Sequence, residues 1–489
     1  MNVTVRRMAV VSIILFLLLF AQVTRVQFFN QDFYASHDLN PRVVYNEYST
    51  ERGMILAGDT VIAQSHETDA ETMAYEREYP EGDVFANIHG YKSHVYGQNG
   101  LESAESAVLT GDDSVFFFRK IADEFSGFER PGGNILTTIN PALQVEAFEA
   151  LSNSGSEGGV VALDPSTGDV LAQATYPNWD FNDIVSNDRD TATSAWADLM
   201  ELEEDSNPSL DRTSHDFYAP GSTFKTVVAA AMVRELGYTA DTMVPAGNSY
   251  EPPNTNHEIT NSSDQCPQHE MTLAQAFALS CNTTFAQVCV EELADDDLLS
   301  VARDFGFGEQ FASPLWTEPS SVGDVSDPAL RAQSCFGQQD VRTTVMQNAM
   351  ISAAVANDGK TMEPQIIDEI QDYDGSTMQR SSPSEHAEVL SASEAGEMRT
   401  IMEAVVNDGT GSAAQLGGHD VGGKTGTAEN TDEDGNSRPN HGWFISWADD
   451  QDGDPSIAIA VFLNQHGDGG ATEASRIAGN LMNTHFDDD

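Results

Sequence analysis

The sequence predicts an α+β fold on three observations. Strand-like apolar runs gather near residues 159–175 and again at 423–463, helical periodicity fills most of the interval, and one apolar segment stands apart at the N-terminus. Strands at both ends of a region with helices between them imply a sheet built from distant pieces of chain and flanked by helices. At 489 residues the chain exceeds the usual size of one core, so two folded units plus connecting segments are expected.

The first element is the apolar run from Met8 to Ala21, continued more loosely through Val23, Val26, Phe28 and Phe29 and preceded by Arg6 and Arg7. A positive flank places this end on the cytoplasmic side. This run of 14 residues, apolar except for Ser12, falls short of the ~20 that a spanning helix needs, a length that also fits a signal peptide. No small-x-small cleavage site follows, and Arg25 can extend its charge to the outer surface. Residues 1–30 therefore read as an uncleaved single-pass anchor with the rest of the chain extracytoplasmic; a removed signal peptide is the alternative.

Residues 31–133 mix short apolar runs with polar residues, show no long helical period and read as a separate N-terminal module. Asn134 to Asn140 reads as a strand, and Pro141-Ala142-Leu143-Gln144 opens a helix through Leu151, with proline where its missing N–H costs nothing. A second unit, 134–489, begins here. Its first two strands, Gly159 to Asp164 and Val170 to Thr175, are joined by the turn-forming Pro165-Ser166-Thr167-Gly168-Asp169. Helical periodicity follows at Phe224–Leu236, Leu273–Leu293, Val345–Asn357 and Ala395–Val406. Strands return at Gly423–Glu429, Trp443–Ala448 and Ile457–Leu463, and a last helix spans Thr472–Phe486. The five strands are expected to form one largely antiparallel sheet.

Seventy-eight acids against 23 bases give a formal charge of −55, spread along the whole chain. Self-repulsion on this scale opposes compaction in dilute buffer, whereas molar salt shortens the Debye length to about 3 Å and silences most of it. The acidity reads as adaptation to high external salt; an acidic surface serving only solubility is the alternative. The missing basic patch excludes nucleic-acid binding. With 40% hydrophobic residues the chain has ample material for cores.

Only five lysines occur. Two complete the patterns Ser222-Thr223-Phe224-Lys225 and Lys424-Thr425-Gly426, and Ser280-Cys281-Asn282 lies between them. Pro220-Gly221 breaks the chain just before Ser222, placing it in the first turn of a helix. Lys225, three residues on, shares its helix face and can take the hydroxyl proton, without which serine is a weak nucleophile. The amine must be neutral to act, and burial together with a second cation, for which Lys424 is the candidate, would favour that form. Thr425 and Thr427 point to one face of a strand, offset from Lys424, where two hydroxyls and a positive potential can hold a carboxylate. Backbone N–H groups of Ser222 and Thr427 are placed to stabilise an oxyanion. Each pattern alone is commonplace; their order and their placement on the elements their roles need point to acyl transfer.

Ser-x-x-Lys, Ser-x-Asn and Lys-Thr-Gly are the motif set of penicillin-binding proteins and serine β-lactamases. From residue 131 onward the chain resembles the transpeptidase domain of class B penicillin-binding proteins, particularly those of actinobacteria. The likeness is carried by Gly159-Val160-Val161-Ala162-Leu163-Asp164-Pro165, Tyr218-Ala219-Pro220-Gly221-Ser222, Gly337-Gln338-Gln339-Asp340-Val341-Arg342, Lys424-Thr425-Gly426-Thr427-Ala428-Glu429 and His441-Gly442-Trp443-Phe444. In the N-terminal module, Arg52-Gly53-Met54-Ile55 and Gly100-Leu101-Glu102 are similar to motifs of the family's pedestal domain. The resemblance implies a D,D-transpeptidase that cross-links peptidoglycan stem peptides during growth or division. Ser222 would attack the penultimate D-Ala carbonyl, Lys225 and Ser280 would shuttle protons, and Asn282 would hold the substrate amide. Lys424 with Thr425, Gly426 and Thr427 would receive the terminal carboxylate, and β-lactams would acylate Ser222. A lipid II polymerase and division proteins are the partners it implies. Gln339 stands where the family usually has glycine, a departure expected to touch loop geometry rather than chemistry.

No glycosyltransferase module fits between anchor and transpeptidase domain, and no glutamate motif is placed to activate a deacylating water. No cofactor is expected. Neither paired-cysteine nor His-Glu-x-x-His spacing appears, so no metal is expected either. Cys266, Cys281, Cys289 and Cys335 permit disulfides in an exported chain; Cys266 with Cys281 is the pair expected to brace Ser280, and buried free thiols are the alternative. A D,D-carboxypeptidase, a β-lactam sensor and a silent division scaffold remain alternatives, the last opposed by the intact motifs.

Overall fold

The computed structural model describes residues 3–26, 47–70, 72–119, 130–202, 206–256, 258–311, 314, 317–431 and 436–488. Helix α1 spans Val3–Thr24, with no burial across its apolar stretch Val5–Thr24 at mean hydropathy 2.1. It exceeds that apolar run because Val3, Val5 and the arginine pair join the helix, which brings it to bilayer length. Phe28 and Phe29 lie outside the described residues.

Strands β1 (Ile55–Ala57), β2 (Thr60–Glu67) and β3 (Tyr75–Glu78) form an antiparallel meander, and β4 (Asn134–Thr137) pairs parallel with β1. Asn140 then caps α2 (Pro141–Ser154): its Oδ1 accepts from Leu143 N at 3.1 Å, and Gly155 ends the helix in left-handed geometry. The hairpin of β5 (Gly158–Leu163) and β6 (Val170–Tyr176) follows, β5 being buried on both faces.

A 3₁₀ turn, Gly221–Phe224, runs directly into α3 (Lys225–Leu236), buried from Lys225 to Val233. The single helix expected over Leu273–Leu293 is in fact two, α4 (Leu273–Ala278) and α5 (Asn282–Glu291). The break sits at Ser280, whose φ of 60° is left-handed. Such geometry costs a non-glycine residue about 1–2 kcal/mol. Periodicity missed it because Phe277, Cys281, Phe285 and Cys289 keep helical spacing straight across the break.

Next come α6 (Val345–Ala356), buried throughout, the short strands β7 (Ile367–Gln371) and β8 (Thr377–Arg380), and α7 (Ala392–Asn407), capped by a Ser391–Glu394 box. Strands β9 (Val421–Thr431), β10 (Ser437–Asp449) and β11 (Pro455–Leu463) and helix α8 (Gly470–Asp488) close the chain. The expected five-stranded sheet forms in the order β9-β10-β11-β5-β6, antiparallel at every pairing. Alternate residues feed two cores: Val160, Ala162, Ile457 and Ile459 pack with α2 and α8, while Val161, Ala458 and Ala460 pack with α6.

A six-stranded sheet in the order β8-β7-β4-β1-β2-β3 draws on chain from both sides of residue 133. Strands β7 and β8 were not anticipated: β8 is wholly exposed and polar, so it carries no apolar alternation to read.

Candidate active site

Strand β9 is an edge of the five-stranded sheet, and the Ser222 turn packs against it. Glycine permits this approach. A Cβ on Gly221 (φ 54°) would lie 2.4 Å from Thr427 O, and one on Gly426 would lie 2.8 Å from Thr223 Cγ2. Gly337 presses on the turn from behind, where Gly221 N donates to Gly337 O at 3.0 Å. The adjoining Gln339 has φ 63°, so the position where the family usually has glycine is indeed one that favours it.

The predicted residues meet around two buried amines. Lys225 Nζ lies 3.1 Å from Ser222 Oγ, 2.8 Å from Ser280 O, 3.1 Å from Ser280 Oγ and 2.7 Å from Asn282 Oδ1. Lys424 reaches the same place from β9, its Nζ 3.0 Å from Ser280 Oγ and 3.0 Å from Thr425 O. Both lysines are 0% exposed. Burial, and then the nearby Lys424 cation, hold Lys225 well below the usual lysine range; burial pushes Lys424 down to about 7. Phe285 and Phe277 supply the apolar walls, with ring centroids 5.7 Å from Lys225 Nζ and 5.4 Å from Lys424 Nζ.

The left-handed turn at Ser280 delivers its hydroxyl to both amines while its carbonyl faces Lys225. A Cys266–Cys281 disulfide adjoins it, as expected, and a second bridge, Cys289–Cys335, leaves none of the four cysteines free. Asn282 Oδ1 accepts from Lys225 Nζ, and its Nδ2 donates to Thr260 O at 3.1 Å. Thr425 and Thr427 line a cleft of about 1060 Å³ together with Ser222, Ser280 and Asn282, while the two lysines lie beneath it. All eight predicted residues thus belong to one constellation.

Sequence reading missed three supports. Asn261 Oδ1 accepts from Asn282 N at 2.7 Å, Gln265 Nε2 donates to Ser280 O at 3.3 Å, and Thr410 Oγ1 shares a hydrogen bond with Thr425 Oγ1. Only the Gly409-Thr410-Gly411 run carried a signal, as two glycines that periodicity assigned to no element.

A neutral amine that donates to two acceptors keeps a lone pair for a third neighbour. At Lys225 the acceptors are Ser280 O and Asn282 Oδ1, so the lone pair is left for the Ser222 hydroxyl, which is the geometry of base-assisted nucleophilic attack. The profile for the penicillin-binding protein transpeptidase domain matches residues 158–483, and that for the penicillin-binding protein A dimerisation domain matches residues 52–135. Peptidoglycan D,D-transpeptidase PbpA of Mycolicibacterium smegmatis is 35% identical over 96% of this chain and 95% of that protein. Its namesake from Mycobacterium tuberculosis is 33% identical over the same shares. The solved imipenem acyl-enzyme of penicillin-binding protein A from M. tuberculosis superposes with a TM-score of 0.84 at 31% identity, covering 90% of this chain and all of that one. Fold, motif geometry and near full-length similarity agree: the chain belongs to the penicillin-binding protein transpeptidase family.

Proposed function

We propose that this protein is a membrane-anchored, monofunctional serine D,D-transpeptidase that cross-links peptidoglycan stem peptides and is acylated by β-lactams at Ser222. One observation carries the reading: the Lys225 amine, wholly buried and depressed in pKa, lies 3.1 Å from the Ser222 hydroxyl. Lys225 takes the Ser222 proton as Oγ bonds to the penultimate D-Ala carbonyl carbon, and the N–H groups of Ser222 and Thr427 hold the oxyanion. Collapse breaks the peptide bond, and the proton passes from Lys225 through Ser280 to the departing D-Ala amine. An amine of a neighbouring stem peptide then attacks the ester, giving up its proton along the same route and restoring the Ser222 hydroxyl. Asn282 orients the donor amide, while Thr425 and Thr427 hold the terminal carboxylate over Lys424.

Residues 1–30 serve as anchor, 31–133 as pedestal and 134–489 as the catalytic unit. The exposed apolar helix α1 supports the first assignment, and the charge of −55 supports operation in high salt. The relatives named D,D-transpeptidases and the acyl-enzymes formed by penicillin-binding protein A with imipenem and penicillin G support the reaction class.

Fluorescent penicillin in molar salt should label the wild type and leave Ser222→Ala unlabelled; equal labelling of both refutes the assignment. On a pentapeptide donor with an acceptor amine, the cross-linked product is expected, and release of D-Ala with hydrolysis alone would make the enzyme a carboxypeptidase.

A further inference from the structure

Thr425 is buried at 6% exposure, and its only described side-chain partner is Thr410, a residue that also lines the cleft. The loop carrying Thr410 is fixed on both sides. A Cβ on Gly409 would come within 2.7 Å of Ala278 O, one on Gly411 within 2.9 Å of Phe444 Cε2, and Gly411 N donates to Val405 O at 2.9 Å. Ala278 ends the helix that leads into Ser280, and Phe444 is the cross-strand partner of Thr425. The loop is therefore wedged between the two elements that carry the site.

Two hydroxyls sharing one hydrogen bond can be polarised either way. If Thr425 donates to Thr410, its lone pairs face the cleft and repel an anion. If Thr410 donates to Thr425, the Thr425 hydrogen is free to point into the cleft. A carboxylate only accepts, so it selects the second arrangement, and each bond in such a chain strengthens the next.

We propose that Thr410 is a positioning residue for carboxylate recognition: its O–H donates to Thr425 Oγ1 and so aims the Thr425 hydrogen at the carboxylate of the D,D-peptide or β-lactam. The inference rests on the function proposed above. Its test compares second-order acylation rate constants for a β-lactam with a free carboxylate and for the methyl ester of that compound. Thr410→Val should lower the rate constant roughly five- to tenfold for the acid and less than about twofold for the ester, as expected for one weakened bond to a charged group. Thr410→Ser should restore most of the acid rate. Equal losses on acid and ester, no loss at all, or failure of serine to restore the ratio overturns the proposal. Should a thermal melt find Thr410→Val unfolded, Thr410→Ala is read on the same ratio. A wild type acylated by neither compound would defeat the functional reading itself, whereas a normal wild type with an unchanged ratio in the variants defeats only this inference.

Discussion

Two lysines buried beside each other are a liability to the fold. Charged ammonium groups at 0% exposure are disfavoured, and their depressed pKa values record that cost. For Lys424 the folded value of about 7 lies below the unfolded 10.5. Between those values the unfolded chain binds more protons, so stability rises with pH across that window and the deficit is complete below it. Lys424→Met, which keeps the volume, should therefore raise stability at pH 7 by about 2–4 kcal/mol, with the gain fading as pH approaches 10.5, in thermal melts at several pH values. The same variant removes a cation beside Lys225, whose pKa then rises. The alkaline limb over which residual acylation appears should move up by about one unit, read from labelling rates against pH; a limb that stays put would deny the two amines any coupling. Ser222, Lys225 and Lys424 were legible in the sequence because reactive chemistry demands particular side chains at short spacings. Asn261 and Gln265 were not, because their contacts with Asn282 and Ser280 arise only when an irregular loop folds back on the site, and Thr410 was marked only by its flanking glycines.

At the scale of elements, legibility followed apolar burial, as continuous runs in strands and as stripes on helices. The five strands of the catalytic sheet and helix α6 carry short runs buried on all sides, helices α7 and α8 bury one apolar stripe each, and all were readable, whereas exposed β8 had neither and the break at Ser280 hid inside a stripe that continued unbroken. The cysteines, ambiguous in the sequence, are paired: intact protein should show no free thiol by mass spectrometry until reduced, and any alkylation before reduction contradicts the two bridges. The N-terminal sheet holds a different device. Glu102, 0% exposed, accepts from Arg52 Nε at 2.6 Å and Arg77 Nε at 2.5 Å, tying the Gly100–Ala104 helix to both arginines. Burial alone would raise its pKa, but the two guanidiniums hold it at about 2. That value lies below the unfolded 4.5, so this stabilisation is full above pH 4.5 and lost as pH falls toward 2. Glu102→Gln leaves two buried cations without a counter-charge and should cost about 3–5 kcal/mol at pH 7, a loss that shrinks below pH 4.5 and is checked by denaturant melts at both values.

For the whole molecule, the same physics sorts charges by depth. The Glu102 cluster is sealed from solvent and should be nearly indifferent to salt, while the bulk of the 78 acids against 23 bases repel one another through water. At 0.1 M salt the screening length is about 10 Å, enough for neighbouring surface carboxylates to sense each other; at 1 M it is about 3 Å and they do not. The melting temperature should accordingly climb by about 10 °C or more between 0.1 and 2 M sodium chloride, a shift on the order of 10 kcal/mol in a chain of this size. Sucrose at matched osmolality separates screening from solvent exclusion, since it strengthens burial without shielding charge. Neutralising exposed acids that hold no cap, with Asp59→Asn, Glu149→Gln, Asp198→Asn and Glu251→Gln together, should raise stability at low salt and flatten the salt curve. Glu102→Gln should lower the curve without changing its slope. A wild-type melting temperature that ignores sodium chloride would show that a charge of −55 is already accommodated in dilute solution, and the case for a high-salt habitat would fall with it.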